Sequence, residues 1–140
     1  MKRIIVGILL VLSLACGSLA AEQPNLPTNF DVIMLAGADY SLMVMIRDNS
    51  GTFVNMSSPS YSAQFRSAAY PAGTIFANFS AVRKRNPLTD KMAIELRLSK
   101  AQTNTLSGKS GVWDLKETGT TGLVSYILTG KAAVRPTVTR

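Results

Sequence analysis

Histidine is absent from the 140 residues, and the single cysteine, Cys16, sits near the amino terminus. Serine–histidine and cysteine–histidine nucleophile pairs are therefore excluded. The same absences leave no Cys/His metal centre and no disulfide within one chain. Acidic residues are also scarce, 8 against 15 basic, for a net charge of +7. The positive excess is spread along the chain, which suits solubility and falls short of a nucleic-acid-binding stripe. Catalysis would be left to carboxylates, lysine, tyrosine or serine.

The amino terminus has a definite pattern. Lys2 and Arg3 precede an apolar run at 4–15, and the small residues Ser18, Ala20 and Ala21 follow. A basic start, a short apolar stretch and small residues form a secretory signal. The run is too short for a comfortable membrane span. Cleavage near Ala20 or Ala21 would remove Lys2 and Arg3 and lower the charge from +7 to +5. Leu14-Ala15-Cys16-Gly17 roughly matches a bacterial lipobox, with Ser13 where an aliphatic residue is usual, so lipidation of Cys16 is a second reading. An uncut apolar arm packed into an assembly is a third. The chain divides into a leader or arm at 1–21, a proline-containing linker at 22–29, and one domain at 30–140.

The domain reads as short strands between turns. Residues 30–36 form a nearly continuous apolar run, expected to be a buried strand. Over 40–47, Leu42, Val44 and Ile46 share one face, and Met43, Met45 and Arg47 the other. The turn at 48–51 then returns the chain through 52–54, predicting a hairpin. Tyr61, Ala63 and Phe65 are expected inward, as are Ile75, Ala77 and Phe79. The cleanest alternation is at 91–99, where Met92, Ile94, Leu96 and Leu98 face one way. Ser99 and Gln102 predict a capping box for a short helix over 101–106 that stops at Gly108. Trp113, Leu115 and Tyr126 complete the expected core, and Gly130 marks a bulge or kink in the last strand. The fold class is all-β: a single antiparallel β-sandwich with one short helix. Periodicity does not give strand order, so immunoglobulin-like and jelly-roll-like arrangements both remain open.

Few residues suggest chemistry. Arg83-Lys84-Arg85 is the densest positive cluster and a candidate interface, or a solvated loop. Met43 and Met45 lie opposite the inward face and suit an adaptable contact surface, or a second layer covers them. Asp39, Asp48, Asp90 and Asp114 fall in or near turns without the spacing of a cation site, so turn hydrogen bonding is expected. Glu95 and Glu117 lack support as a hydrolytic pair, and Ser99-Lys100 reads as a helix cap. No catalytic residue, cofactor or metal ligand is assigned.

The order of features resembles small β-sandwich structural proteins of tailed-bacteriophage virions, of the tail, baseplate or head-accessory kind. The likeness runs through Leu35-Ala36-Gly37-Ala38-Asp39, Gln64-Phe65-Arg66, Leu96-Arg97-Leu98-Ser99-Lys100-Ala101-Gln102-Thr103 and Gly111-Val112-Trp113-Asp114-Leu115. It ends with the strand from Gly130 to Val134 and Val138-Thr139-Arg140. It covers most of 30–140, and the leader departs from it. The resemblance implies a non-enzymatic structural or adaptor protein. Such a protein acts in many copies through contacts with other virion proteins, as a homo- or hetero-oligomer, without specific nucleic-acid binding. The leader alone implies the alternative: an exported periplasmic or surface β-sandwich binding a protein or glycan. Membrane contact would then be only through an uncleaved or lipidated leader.

Overall fold

The computed structural model describes residues 27–138 apart from 48, 49, 55, 57 and 58. The leader at 1–21, Cys16, most of the linker and Asp48 lie outside the described residues. Eight strands form in chain order: β1 (Thr28–Asn29), β2 (Val32–Leu35), β3 (Tyr40–Val44), β4 (Ser60–Arg66), β5 (Ile75–Arg85), β6 (Met92–Leu98), β7 (Ser110–Thr118) and β8 (Val124–Arg135). The helix α1 (Lys100–Thr105) separates β6 from β7. Thr28 and Asn29, assigned to the linker by sequence, pair with Leu128 and Thr129. The domain therefore begins before residue 30.

The strands make a sandwich in which β5 belongs to both sheets. Its first half pairs with β4, from Arg66↔Ile75 to Ala63↔Phe79. Its second half pairs with β6, from Ser80↔Arg97 to Arg85↔Met92. One sheet runs β2-β8-β7-β4-β5, and the other β5-β6-β3. The chain crosses between sheets from β3 to β4 and crosses back through α1. This is the immunoglobulin-like order, which resolves the alternative left open by periodicity. All pairings are antiparallel except those of β1 and β2, which run parallel to β8.

The sequence signals for β6 and α1 become structure almost unchanged. Ile94, Leu96 and Leu98 are buried, and β6 lies between β5 and β3. Ser99 accepts from the Gln102 amide, and the Gln102 side chain accepts from the Ser99 amide at 2.9 Å. Thr103, fully buried, donates to the Ala38 carbonyl at 2.7 Å, and Asp39 accepts from the Lys100 amide at 2.7 Å. The helix thus closes the turn between β2 and β3. The predicted 40–54 hairpin narrows to one bridge, Arg47↔Phe53, beside a Val54-to-Ile46 backbone bond of 2.9 Å.

Three expectations about the core are corrected. The run at 30–36 is not continuously buried: Val32, Met34 and Ala36 face the core while Ile33 and Leu35 are 56% and 52% exposed. β2 is an edge strand with one buried face, so burial alternates along it. Tyr126, expected inward, is 41% exposed. The register passes from Leu115↔Leu128 to Lys116↔Tyr126, leaving Ile127 as an extra residue. That bulge reverses the parity of the strand beyond it. Phe76 is the corresponding extra residue in β5, where Phe65↔Ala77 is followed by Arg66↔Ile75, and Ile75 turns outward. Phe76 instead packs edge-on against Phe65, with centroids 5.1 Å apart.

Trp113 is the centre of the core. Its ring meets Phe79 at 6.0 Å, and Phe79 meets Tyr40 at 6.2 Å, joining the two sheets. Its indole N–H donates to the Phe30 carbonyl at 2.7 Å. The regular ladder would give that carbonyl to the Lys131 amide, because the Phe30 amide already bonds the Thr129 carbonyl. The Asp31 carboxylate replaces it, accepting from the Lys131 amide at 2.7 Å. Gly130 makes room for the exchange: a Cβ there would lie 2.1 Å from the Phe30 oxygen. The bulge or kink expected at Gly130 falls instead at Ile127, while Gly130 stays in register with Trp113 and serves this close approach.

Replacing Trp113 with alanine should cost about 3–5 kcal/mol, and Leu96→Ala about 2–5 kcal/mol. Trp113→Phe keeps most of the volume but leaves the Phe30 carbonyl without its donor, for a loss of about 1–3 kcal/mol. Gly130→Val should also destabilise, through the backbone clash. Urea unfolding followed by circular dichroism measures all four. An unchanged midpoint for Trp113→Ala would refute its central place.

Candidate functional site

A concavity among the described residues lies on the outer face of β7 and β8. It is a groove of about 670 Å³ bordered by Pro27, Asn29 and Asp31 at one end and by Tyr70 and Tyr126 along its walls. Strand alternation sets which side chains face this side, Val112 and Asp114 reaching the groove itself. Phe65, Trp113 and Leu115 point into the core, so Gln64, Arg66, Val112, Asp114 and Lys116 point out. A smaller hollow of about 280 Å³, lined by Gln64, Arg66 and Lys116, shares Tyr70, Asp114 and Tyr126 with it.

The loop at 67–74 holds Tyr70 over this face. The Ser67 amide donates to the Thr74 carbonyl, and the Ser67 hydroxyl accepts from the Thr74 amide, both at 2.9 Å. Arg66 ties the loop to the sheet, donating to the Gly73 carbonyl at 3.1 Å and to Gln64 Oε1 at 2.6 and 3.1 Å. Its guanidinium lies 5.4 Å from the Tyr70 ring centre. Tyr70 remains 70% exposed. An aromatic side chain held this openly offers a large, stiff contact surface with a polar tip.

Asp114 supplies the groove's acidic group. Burial raises its pKa, and the neighbouring Arg66 and Lys116 charges only partly offset that. Its carboxylate makes no hydrogen bond or ion pair to the described residues. Asp39 and Asp90 behave as the turn residues expected of them, bonding the Lys100 amide and Arg85. Asp114 does not.

The residues singled out from sequence lie elsewhere. Lys84 pairs with Glu95 at 3.3 Å on the outer face of β6, where Ser41 also donates to Glu95 at 3.0 Å. These contacts, Ser41 first, hold the Glu95 carboxyl below its usual range. Met43 stands opposite Glu95 in register and is partly buried. Met45 accepts from Asn86 and Thr89, both at 3.4 Å. Arg85 pairs with Asp90 at 2.9 Å. Arg83 points to the other side of β5 from Lys84; there burial and Glu117 push the Tyr61 phenol up, and Arg83 acts against them. The basic triplet is thus divided between the two faces of one strand rather than forming a patch.

The sequence reading missed the groove because its parts are far apart in the chain. The usable signals were the exposed-parity aromatic Tyr70 in a Tyr-Pro-Ala-Gly turn and Asp114 beside the inward Trp113.

No protein-family model matches the chain, and no curated protein matches it. The solved structures to which it is similar include immunoglobulin-like domains. A ZIG-8–RIG-5 IG1–IG1 heterodimer is 12% identical, with a TM-score of 0.39 over 77% of this chain and 83% of that one. The first Ig-like domain of human CD48 antigen is also 12% identical, with a TM-score of 0.38 over 84% and 88%. The sialic-acid-binding region of a Streptococcus sanguinis adhesin is 13% identical, with a TM-score of 0.43 over 79% of this chain and 29% of that one.

Asp114→Asn should raise stability at neutral pH. With the folded pKa above the unfolded one, ionisation favours the unfolded chain. The penalty is full above the folded pKa and absent below the ordinary aspartate value of about 4. Melting temperatures of parent and variant should therefore differ at neutral pH and converge as the pH falls through that window.

Proposed function

We propose that the chain is a non-enzymatic structural adaptor of a tailed-phage particle that grips a neighbouring particle protein through the Tyr70–Tyr126 groove. The observation that carries the manner of action is the groove itself. Two exposed tyrosines and an unpaired carboxylate converge on a rigid sheet face, which is what a recognition site needs. The setting rests on the resemblance across 30–140. Sheet-borne side chains give a fixed geometry, and aromatic anchors contribute much of the binding energy at such contacts. The Lys84–Glu95 surface, with Met43 beside it, is a second contact face of the same adaptor.

An exported periplasmic or cell-envelope domain with the same groove is the second reading, and the apolar leader ending in Ala20-Ala21 favours it. There the partner is a protein or glycan, with Cys16 available for lipidation.

Mass spectrometry of purified particles and of periplasmic extract tests the two settings together. The proposal expects the chain in particles with Met1 or its immediate successor at the start. A form beginning near Glu22, or lipidated at Cys16, found only in the extract would overturn it. In the particle, Tyr70→Ala with Tyr126→Ala should weaken incorporation at least about tenfold, a loss of some 1.4 kcal/mol. The melting temperature should be unchanged.

A further inference from the structure

Charges of both signs surround the groove. Asp31 and Lys131 line one end of it, and Arg66 and Lys116 line the adjoining hollow. Asp114 lines both, so it stands at their junction together with Tyr70 and Tyr126. Some of these groups are already engaged. The Asp31 carboxylate accepts from the Lys131 amide, and Arg66 donates to Gln64 and to the Gly73 carbonyl. Asp114 and Lys116 make no hydrogen bond or salt bridge to the described residues. An acceptor and a donor therefore stand open in the same hollow.

This pattern selects against a charged occupant. A partner that covers the groove takes Asp114 further from water, and the carboxylate then needs a donor. A lysine or arginine would supply one, but Arg66 and Lys116 are close enough to act on the Asp114 charge and would repel it. A carboxylate or phosphate drawn to Lys116 would meet Asp114 across the same hollow. A neutral group carrying both a donor and an acceptor satisfies Asp114 and Lys116 together. The peptide unit is such a group: its N–H donates to Asp114, and its carbonyl accepts from Lys116. A helix engages these groups internally, whereas an extended segment offers them. The walls add a second requirement. Pro27, Ala69, Val112 and the two tyrosine rings present carbon surfaces, which suit an aliphatic or proline side chain. A glycan, hydroxylated all round, would leave hydroxyl groups unpaired against them.

We propose that the groove receives an extended, uncharged segment of the partner protein. One apolar side chain of that segment seats against Tyr70 and Tyr126, and the adjacent peptide unit bridges Asp114 and Lys116. This rests on the groove being a protein-docking site and adds what that site recognises. The tyrosines supply stiff contact area for the anchor. The charges of opposite sign supply discrimination, because a segment charged either way meets a like charge. The segment itself carries no charge, so its binding responds little to salt.

Selection of a random-peptide display library on the full chain tests this. The enriched sequences should share an aliphatic or proline anchor flanked by uncharged residues. A synthetic peptide of that sequence, blocked at both ends, should lose at least about tenfold in affinity on Tyr70→Ala or Tyr126→Ala. The same loss should follow when lysine or glutamate replaces a residue beside the anchor. Asp114→Asn should restore the glutamate-bearing peptide, because it removes the like charge and keeps an acceptor. Raising sodium chloride from about 0.05 to about 0.5 M should change the parent's affinity less than about threefold. Enriched sequences that converge on charged residues, a steeper salt dependence, or no rescue by Asp114→Asn overturn this inference and leave the groove a protein site. No enrichment, enrichment indifferent to both tyrosine variants, or binding of neutral oligosaccharides in place of peptides overturns the protein-docking reading with it.

Discussion

The hydrogen bond from the Trp113 indole to the Phe30 carbonyl organises this domain. It takes one carbonyl out of the parallel ladder, and two adjustments follow from that. Asp31 supplies the missing acceptor to Lys131, and Gly130 gives up its side chain to let the strands approach. A buried indole N–H without an acceptor would be costly, so the exchange keeps every group satisfied. The same ring then packs on Phe79 and closes the space between the sheets. In immunoglobulin domains a disulfide commonly joins the sheets beside a buried tryptophan. Here no cysteine lies in the described domain, and aromatic packing with one side-chain hydrogen bond makes the connection.

The surfaces are divided in a similar way. The groove side gathers Tyr126 on β8, the loop-borne Tyr70 and the Asp114 carboxylate on β7. The outer face of β6 carries a compact polar group built on Glu95, with its positive partner from β5. The β2 edge offers backbone and aliphatic side chains alone. Three chemically different surfaces thus lie on one small sandwich. None of them needs the histidine or thiol that the chain lacks.

Much of the architecture can be read directly from residues. The strict alternation of β6 and the Ser99–Gln102 cap depend on interactions within a few positions, so local pattern specifies them. Trp113, Leu115, Phe65 and Phe79 were assigned to the core for the same reason. The failures come from single inserted residues. Ile127 and Phe76 each shift a register by one, and no local signal announces a bulge whose partner strand is distant in sequence. Tyr126 was placed on the wrong face for that reason alone. β2 misled in another way: an edge strand can be apolar on both faces, and composition does not separate it from a central one. The groove was illegible because its floor comes from β7, one wall from the 67–74 loop and the others from β8 and the stretch at 27–31. The order of those strands is a tertiary fact.

The parallel pairing of β1 and β2 with β8 has a mechanical consequence. The chain enters this ladder at Thr28, opposite Leu128, and leaves it at Arg135, opposite Leu35. Entry and exit are therefore at opposite ends of the same pair of strands. Tension transmitted along the polypeptide from either side acts parallel to the strands and loads their hydrogen bonds together in shear. An antiparallel terminal pair pulled the same way would peel open one bond at a time. Resistance to rupture then depends on the height of the unfolding barrier rather than on equilibrium stability. A domain wired in this manner can carry load between whatever it is anchored to at its two ends, even when its net stability is modest.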